Sequence, residues 1–256
     1  MKLKVVTLNL WLGGLLLEDV IKFLQRQDAD IVLLQEVFNG TDATLAPRFR
    51  SMQVLQQRLP QYVAQDFAAA YRDFDHTNGK AQRGGAILSK FPIIERNVAF
   101  LAGAYSETYR DIPEQYADCP RELEHVVVRT PTGNVNIYNM QGVWDLDGDN
   151  YSERRQKMAD VVLAAVQGKS HIILGGDTNA KPTNQAIKRI ETELESVFKD
   201  ELTSSFNMRR KDNPGYATAV VDMLFVSRRD MHVISHECPD VDISDHLPLV
   251  MEVEVL

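Results

Sequence analysis

Short apolar runs of strand length follow one another along almost the whole chain, and helical spacing interrupts them in only four places. Leu3 to Leu8, Ile31 to Gln35, Tyr62 to Ala70, Gly85 to Ser89, Ile93 to Leu101, Glu122 to Arg129 and Asn134 to Met140 read as strands. So do His171 to Leu174, Asp222 to Ser227, Met231 to Ser235 and Leu247 to Val255. Thr130-Pro131-Thr132-Gly133 joins two of these runs as a hairpin. Leu17 to Gln27, Leu45 to Leu59, Ser152 to Val166 and Asn184 to Phe198 are the stretches predicted to be helical. Strands that mostly adjoin strands, with few and separated helices, predict an α+β chain. Two packed sheets would carry helices on their outer faces, in preference to a doubly wound parallel sheet. No repeat, linker or low-complexity stretch divides the 256 residues, so residues 1–256 are expected to form one domain.

Composition excludes several classes of function. The apolar runs are too short to span a bilayer, and Met1 to Val6 enters a strand directly, without the long apolar stretch of a signal peptide. Cys119 and Cys238, each beside a proline, read as free thiols of a cytoplasmic protein. A net charge of −8 argues against indiscriminate nucleic-acid binding, which depends on clustered Lys and Arg. The two local basic clusters, Arg154-Arg155 with Lys157 and Arg209-Arg210-Lys211, read as solvated helix face or loop. The stretch from Gly103 to Pro120, with Tyr105, Tyr109 and Tyr116, is long enough for a functional loop.

Polar residues of a narrow range of types stand where the apolar runs begin or end. Asn9 closes the first run and Glu36 the second. Asp177 and Asn179 follow the run at His171, after Gly175 and Gly176, whose lack of a side chain would let a ligand approach the backbone. Asp222 precedes one closing run, and Asp245-His246 the other. A carboxylate at a strand end is ordinarily a turn or a cap. A recurring set of Glu, Asp and Asn with little thiol suits a hard cation: Mg²⁺, with Mn²⁺ or Ca²⁺ as alternatives. One imidazole beside carboxylates adds acid–base or charge-stabilising chemistry. Together these groups suit hydrolysis of a phosphoester by water.

The motifs Thr7-Leu8-Asn9-Leu10-Trp11, Leu34-Gln35-Glu36-Val37 and Arg83-Gly84-Gly85-Ala86-Ile87-Leu88-Ser89-Lys90-Phe91-Pro92-Ile93 resemble the endonuclease/exonuclease/phosphatase superfamily. So do Gly176-Asp177-Thr178-Asn179, Val221-Asp222-Met223-Leu224-Phe225-Val226-Ser227 and Ser244-Asp245-His246-Leu247-Pro248-Leu249. The resemblance runs from Thr7 to Leu249. It implies a four-layered α/β sandwich, two packed mixed sheets flanked by helices, with the site where loops of both sheets meet. Glu36 would be the principal Mg²⁺ ligand, assisted by Asn9 and Asp245. Asp177 would position or deprotonate water, and Asn179 would hold that water or a phosphate oxygen. His246 would stabilise charge on the scissile phosphate, with Asp222 fixing its tautomer.

The chain departs from this pattern in Asn139-Met140-Gln141, where members often carry Asn-x-His. Gln141 can hold a phosphate or leaving oxygen by its amide but cannot deliver a proton. Arg83 reads either as a phosphate clamp or as a surface arginine. Trp144, Asp145 and Asp147 form a polar loop nearby that either contacts substrate or is simply exposed. The expectation is a monomeric, Mg²⁺-dependent phosphodiesterase acting on a phosphoester substrate, an endonuclease or exonuclease. The alternatives are a small-molecule or lipid-headgroup phosphatase, and a non-catalytic metal-binding module of the same fold.

Overall fold

The computed structural model describes residues 1–145 and 151–256; Asp147 lies outside them. Along the chain come β1 (Lys2–Asn9), α1 (Leu17–Gln27), β2 (Ile31–Gly40), α2 (Ser51–Arg58), β3 (Ala64–Asp73) and β4 (Ala81–Ser89). Next are β5 (Ile93–Ala102), β6 (Arg121–Thr130), β7 (Gly133–Gln141), α3 (Glu153–Val166) and β8 (Ile172–Asp177). The rest of the chain forms α4 (Gln185–Ile190), β9 (Leu194–Ser196), β10 (Asp222–Ser227), β11 (Met231–Glu237) and β12 (Leu249–Val255). Among the described residues the strands form two six-stranded sheets, ordered β11-β12-β1-β2-β4-β3 and β5-β6-β7-β8-β10-β9. Each sheet is antiparallel except for one parallel pair, β1 with β2 in the first and β7 with β8 in the second.

Alternation along the strands explains the layering. Val5, Leu33 and Ile87 of the first sheet meet Val126, Ile137, Ile173 and Leu224 of the second in the inner core. Their neighbours Val6, Leu34 and Leu88 face outward and pack under Val20, Ile21, Leu24 and Leu55 of α1 and α2. On the opposite outer face, Tyr138, Met140, Leu174 and Phe225 pack under Met158 and Val162 of α3 and Ile187 and Ile190 of α4. Faces that alternate with period two therefore generate the α/β/β/α sandwich. Among the described residues no helix is long and apolar enough to cross a membrane.

Four expectations need correction. The helix expected over Asn184 to Phe198 ends at Ile190, and Leu194–Ser196 becomes an edge strand on β10. Leu194 belongs to the outer core while Val197 and Phe198 belong to the inner one, so the chain must pass between faces, which a helix lying on one face cannot do. The helix expected over Leu45 to Leu59 is broken into a 3₁₀ turn, Pro47–Arg50, and α2; Pro47 is tolerated only in a first turn. The strand at Ile31 continues past Glu36 to Gly40, so Glu36 sits within a strand rather than at its end. Gly175 and Gly176 serve packing rather than ligand approach. A Cβ at Gly175 would lie 2.7 Å from both Leu33 and Leu224, and one at Gly176 (φ +141°) 2.1 Å from the Met140 carbonyl.

Candidate active site

The carboxyl ends of the two parallel strand pairs lie together at one end of the sandwich, and the polar motif residues gather there. Asn9 ends β1, and Gln141 and Asp177, paired in register, end β7 and β8. Between Leu34 and Val37 the register of β2 against β4 shifts, and Glu36 occupies the bulge with φ +58°. A bulge of this kind re-aims a side chain, and it turns Glu36 into the cleft. Ser244 Oγ donates to the Asn9 carbonyl at 2.7 Å and so ties the Asp245-His246 loop to the end of β1. The cleft has a volume of about 350 Å³, and its lining includes Glu36, Arg83, Gln141, Asp177, Asn179, Asp245 and His246.

Asp177 is the best-held carboxyl. Its Oδ2 accepts from Gln141 Nε2 at 2.9 Å and from Asn9 Nδ2 at 3.1 Å, and its Oδ1 from the Asn179 amide at 2.9 Å. Burial pushes its pKa up to about 6, reinforced by Asp222 and opposed by His246, the Asn179 amide and Arg121. His246 Nδ1 lies 2.8 Å from Asp222 Oδ2. Burial works against its charge, yet Asp222, Asp177 and Asp245 lift its pKa to about 10, so the ring is an imidazolium at neutral pH. Asp177 is only 2% exposed and His246 7%, so both form the floor of the cleft.

Burial also works against the charge of Glu36, but Arg83, the Leu12 amide, His246 and Asn9 outweigh it and bring the pKa to about 2. Arg83 reaches Glu36 at 2.9 Å and Asp111 at 2.8 Å and donates to the Tyr71 hydroxyl, which excludes the surface-arginine reading. Glu36 Oε2 takes the Leu12 amide at 2.7 Å, while Oε1 has only the 3.4 Å contact from Asn9 Nδ2. Asn9 Oδ1 accepts the Trp11 amide, so its amide bridges Glu36 and Asp177. Asp245 pairs with Lys211 at 2.5 Å.

A hard cation such as Mg²⁺ keeps several waters and needs only one or two carboxylates, and ionised Glu36 with a lightly engaged oxygen fits that demand. Among the described residues no three His, Cys, Asp or Glu side chains gather closely enough to cage an ion. The residues therefore fit a largely hydrated cation and not an all-protein cage.

Every residue singled out from the sequence as part of the site lies in or against this cleft, and several others escaped notice. Arg155 is 2% exposed and donates to the Asn179 carbonyl at 2.6 Å, so it is a buried brace and not a solvated helix face. Lys211 likewise leaves solvent, seated 5.0 Å over the rings of Phe206 and Tyr216. Arg121 and Glu122, at the start of β6, also line the cleft. Among the described residues no hydrogen bond or ion pair holds the Arg121 guanidinium. In the sequence, Arg121 and Glu122 stand at the head of an ordinary alternating strand and carry no motif. The stretch at Gly103 to Pro120 does reach the site: Asp111 engages Arg83, and Tyr116 packs against Trp144.

The profile of the Endonuclease/Exonuclease/phosphatase family matches residues 6–246. No curated protein matches the sequence. Among solved structures, an endonuclease/exonuclease/phosphatase from Beutenbergia cavernae superimposes with a TM-score of 0.77 at 18% identity, over 99% of this chain and 72% of the other. A mannosyl-6-phosphatase from Bacteroides thetaiotaomicron gives 0.71 at 20% identity over 99% of each chain. The human Nocturnin catalytic domain with a bound sulfate gives 0.70 at 19%, over 100% of this chain and 94% of the other. At these identities the likeness is one of fold.

Proposed function

The chain belongs to the endonuclease/exonuclease/phosphatase family, whose members are phosphoester hydrolases, and on that premise we propose that it hydrolyses a phosphoester by direct attack of water, assisted by a divalent cation. The observation that carries this reading is the gathering of Asp177, held by three amide donors, with Glu36 and the Asp222–His246 pair in one cleft. Asp177 takes a proton from the attacking water. Its three amide donors hold it in place, and a base near neutrality is well matched to the task. His246 has its Nδ1 committed to Asp222, which leaves Nε2–H to bond a phosphoryl oxygen as negative charge builds there. Arg121 supplies a second cationic contact to the same group.

Glu36 would hold the cation, with Asp245 in the same cleft, and Asn9, whose oxygen takes the Trp11 amide, would steady Glu36 through its Nδ2. When bound, the cation polarises the phosphoryl oxygens and lowers the pKa of a coordinated water.

Charge pairing favours a small phosphoester over a nucleic-acid strand. Arg83, Arg110, Arg209, Arg210 and Lys211 are each paired with an aspartate, so they do not form a continuous basic track of the kind that neutralises successive phosphates. A panel of sugar, inositol and nucleotide phosphates, alkyl diesters and oligonucleotides, assayed with Mg²⁺ and Mn²⁺, tests this. Turnover of a small ester that is lost in Asp177→Asn is expected. Cleavage confined to oligonucleotides would favour a nuclease, and a folded protein inert on the whole panel would remove the phosphoesterase reading.

A further inference from the structure

Hydrolysis of an alkyl phosphoester needs a proton for the departing oxygen, and of the groups already assigned only His246 carries one, which its bond to the phosphoryl oxygen occupies. Gln141 is an amide. Its Nε2 is committed to Asp177, and its buried Oε1 has no partner among the described residues. His246 is committed to Asp222, which pairs with Asp177 on the side away from Gln141.

The second sheet answers this with a row of polar side chains. Asp222 pairs with Asp177 and Asp177 with Gln141 in register, and residues paired in this way share a face. On the next strand Leu123 pairs with Met140 and Glu124 with Asn139, which sets Glu122 beside Gln141 on the same inner face. Glu122 lines the cleft, whereas Glu124, one step deeper on that face, does not. Strands lie about 4.8 Å apart, so Glu122 stands two strands, roughly 10 Å, from Asp177. Gln141 stands midway in this row with its amide turned to Asp177, so a phosphoryl group resting over Gln141 has one carboxyl on each side, within reach of hydrogen bonds of about 2.6–3.2 Å. We infer that Glu122 is the acid that protonates the leaving oxygen, a role that rests on the phosphoesterase reading above.

The surroundings of Glu122 suit it to hold a proton. It is 2% exposed, and burial lifts its carboxyl to about 7 against the pull of Arg121, Arg83 and the Glu122 and Gly85 amides. Glu124, whose own carboxyl is raised by burial and by Asp66 of β3, adds a second acidic neighbour and no further cation. Asp111, another carboxyl of the cleft lining, is committed to Arg83. In the step itself, the water oxygen bonds to phosphorus and its proton passes to Asp177. The bond from phosphorus to the leaving oxygen breaks, and the Glu122 proton passes to that oxygen, so an alcohol departs. Asp177 then returns its proton to solvent and Glu122 takes one up.

The test compares a p-nitrophenyl ester with an alkyl ester of the same phosphoryl group, with Mg²⁺ present, in wild type and Glu122→Gln. A nitrophenolate departs without help and an alkoxide does not. The loss in Glu122→Gln should be larger on the alkyl ester by on the order of 10²-fold. In wild type alone, kcat on the alkyl ester should fall above about pH 7 while the nitrophenyl ester shows no such limb, a comparison that stands even if the variant fails to fold. Equal losses on the two esters, or the same pH limb on both, would overturn the assignment while leaving the phosphoesterase intact. Wild type inert on both esters would overturn the hydrolase reading itself.

Discussion

Asp177 and His246 both lie in the floor of the cleft, yet the two differ in what else they support. Asp177 is a carboxyl whose charge burial and Asp222 disfavour. Asp177→Asn should therefore cut kcat by about 10²–10⁴, and its stability should fall only by the ~1–3 kcal/mol of the N–H donors its NH2 leaves unpaired. The His246 ring is the counter-charge of Asp222, itself 2% exposed. His246→Ala strands that carboxylate and should cost on the order of 3–5 kcal/mol of stability besides activity, a loss that reading His246 as a solvated cleft residue would not anticipate. Urea unfolding of the two variants separates these cases, and equal stability for both would contradict the buried Asp222–His246 pair. Glu36 makes a third case. Mg²⁺ or Mn²⁺ should raise the melting temperature of wild type, because a ligand of the folded state stabilises it, and Glu36→Gln should abolish the rise. A rise of the same size in the variant would place the cation elsewhere.

The strand β6 carries two carboxyls into the space between the sheets, and they bear on stability as a function of pH. Glu122 is lifted from 4.5 to about 7, and Glu124 is raised well above the usual carboxylate range by burial, with Asn139 opposing and Asp66 adding to the rise. A carboxyl that binds its proton more tightly when folded stabilises the fold below its unfolded pKa, and that stability is lost as pH rises through the folded one. Unfolding free energy should therefore decline from about pH 4.5 to 7, by roughly 3 kcal/mol for Glu122 alone. Glu124→Gln should flatten the decline, and an unchanged slope would mean that the carboxyl is ionised inside. This behaviour was not legible in the sequence, where Glu122 and Glu124 look like the polar face of a half-exposed strand. That face turns inward because Val126 and Val128 share it and lie in the inner core, while Asn139 of β7, whose amide bonds the Leu34 and Ala86 carbonyls of the facing sheet, also donates to Glu124. The bulge at Glu36 was hidden for a similar reason, since its φ of +58° is imposed by the pairing of β2 with β4 and leaves no composition signal. Strands buried on both faces, such as β1 and β10, were legible as short continuous apolar runs because burial alone dictates them. So were the motif residues at their ends, because few residue types perform that chemistry.

Across the whole molecule the site belongs to neither sheet. Asn9, Glu36 and Arg83 come from the first, while Glu122, Gln141, Asp177 and Asp222 come from the second. Their spacing is set by how the sheets seat on one another through the inner core, where Leu33 lies fully buried against the position of Gly175. Leu24 of α1 is just as buried, but in the outer layer, where it holds a helix against one sheet. Truncation to alanine should cost about 2–5 kcal/mol at either position, so stability alone does not tell them apart. Activity should. A displacement of about 1 Å between groups that act together costs on the order of 10²-fold in rate, and only the cavity at Leu33 lets one sheet settle relative to the other. Well below both melting transitions, Leu33→Ala should lose kcat by roughly 10-fold or more while Leu24→Ala, equally destabilised, keeps it. Equal kcat in the two variants would mean that the polar contacts across the cleft, such as Asn9 to Asp177 at 3.1 Å, hold the sheets in place by themselves.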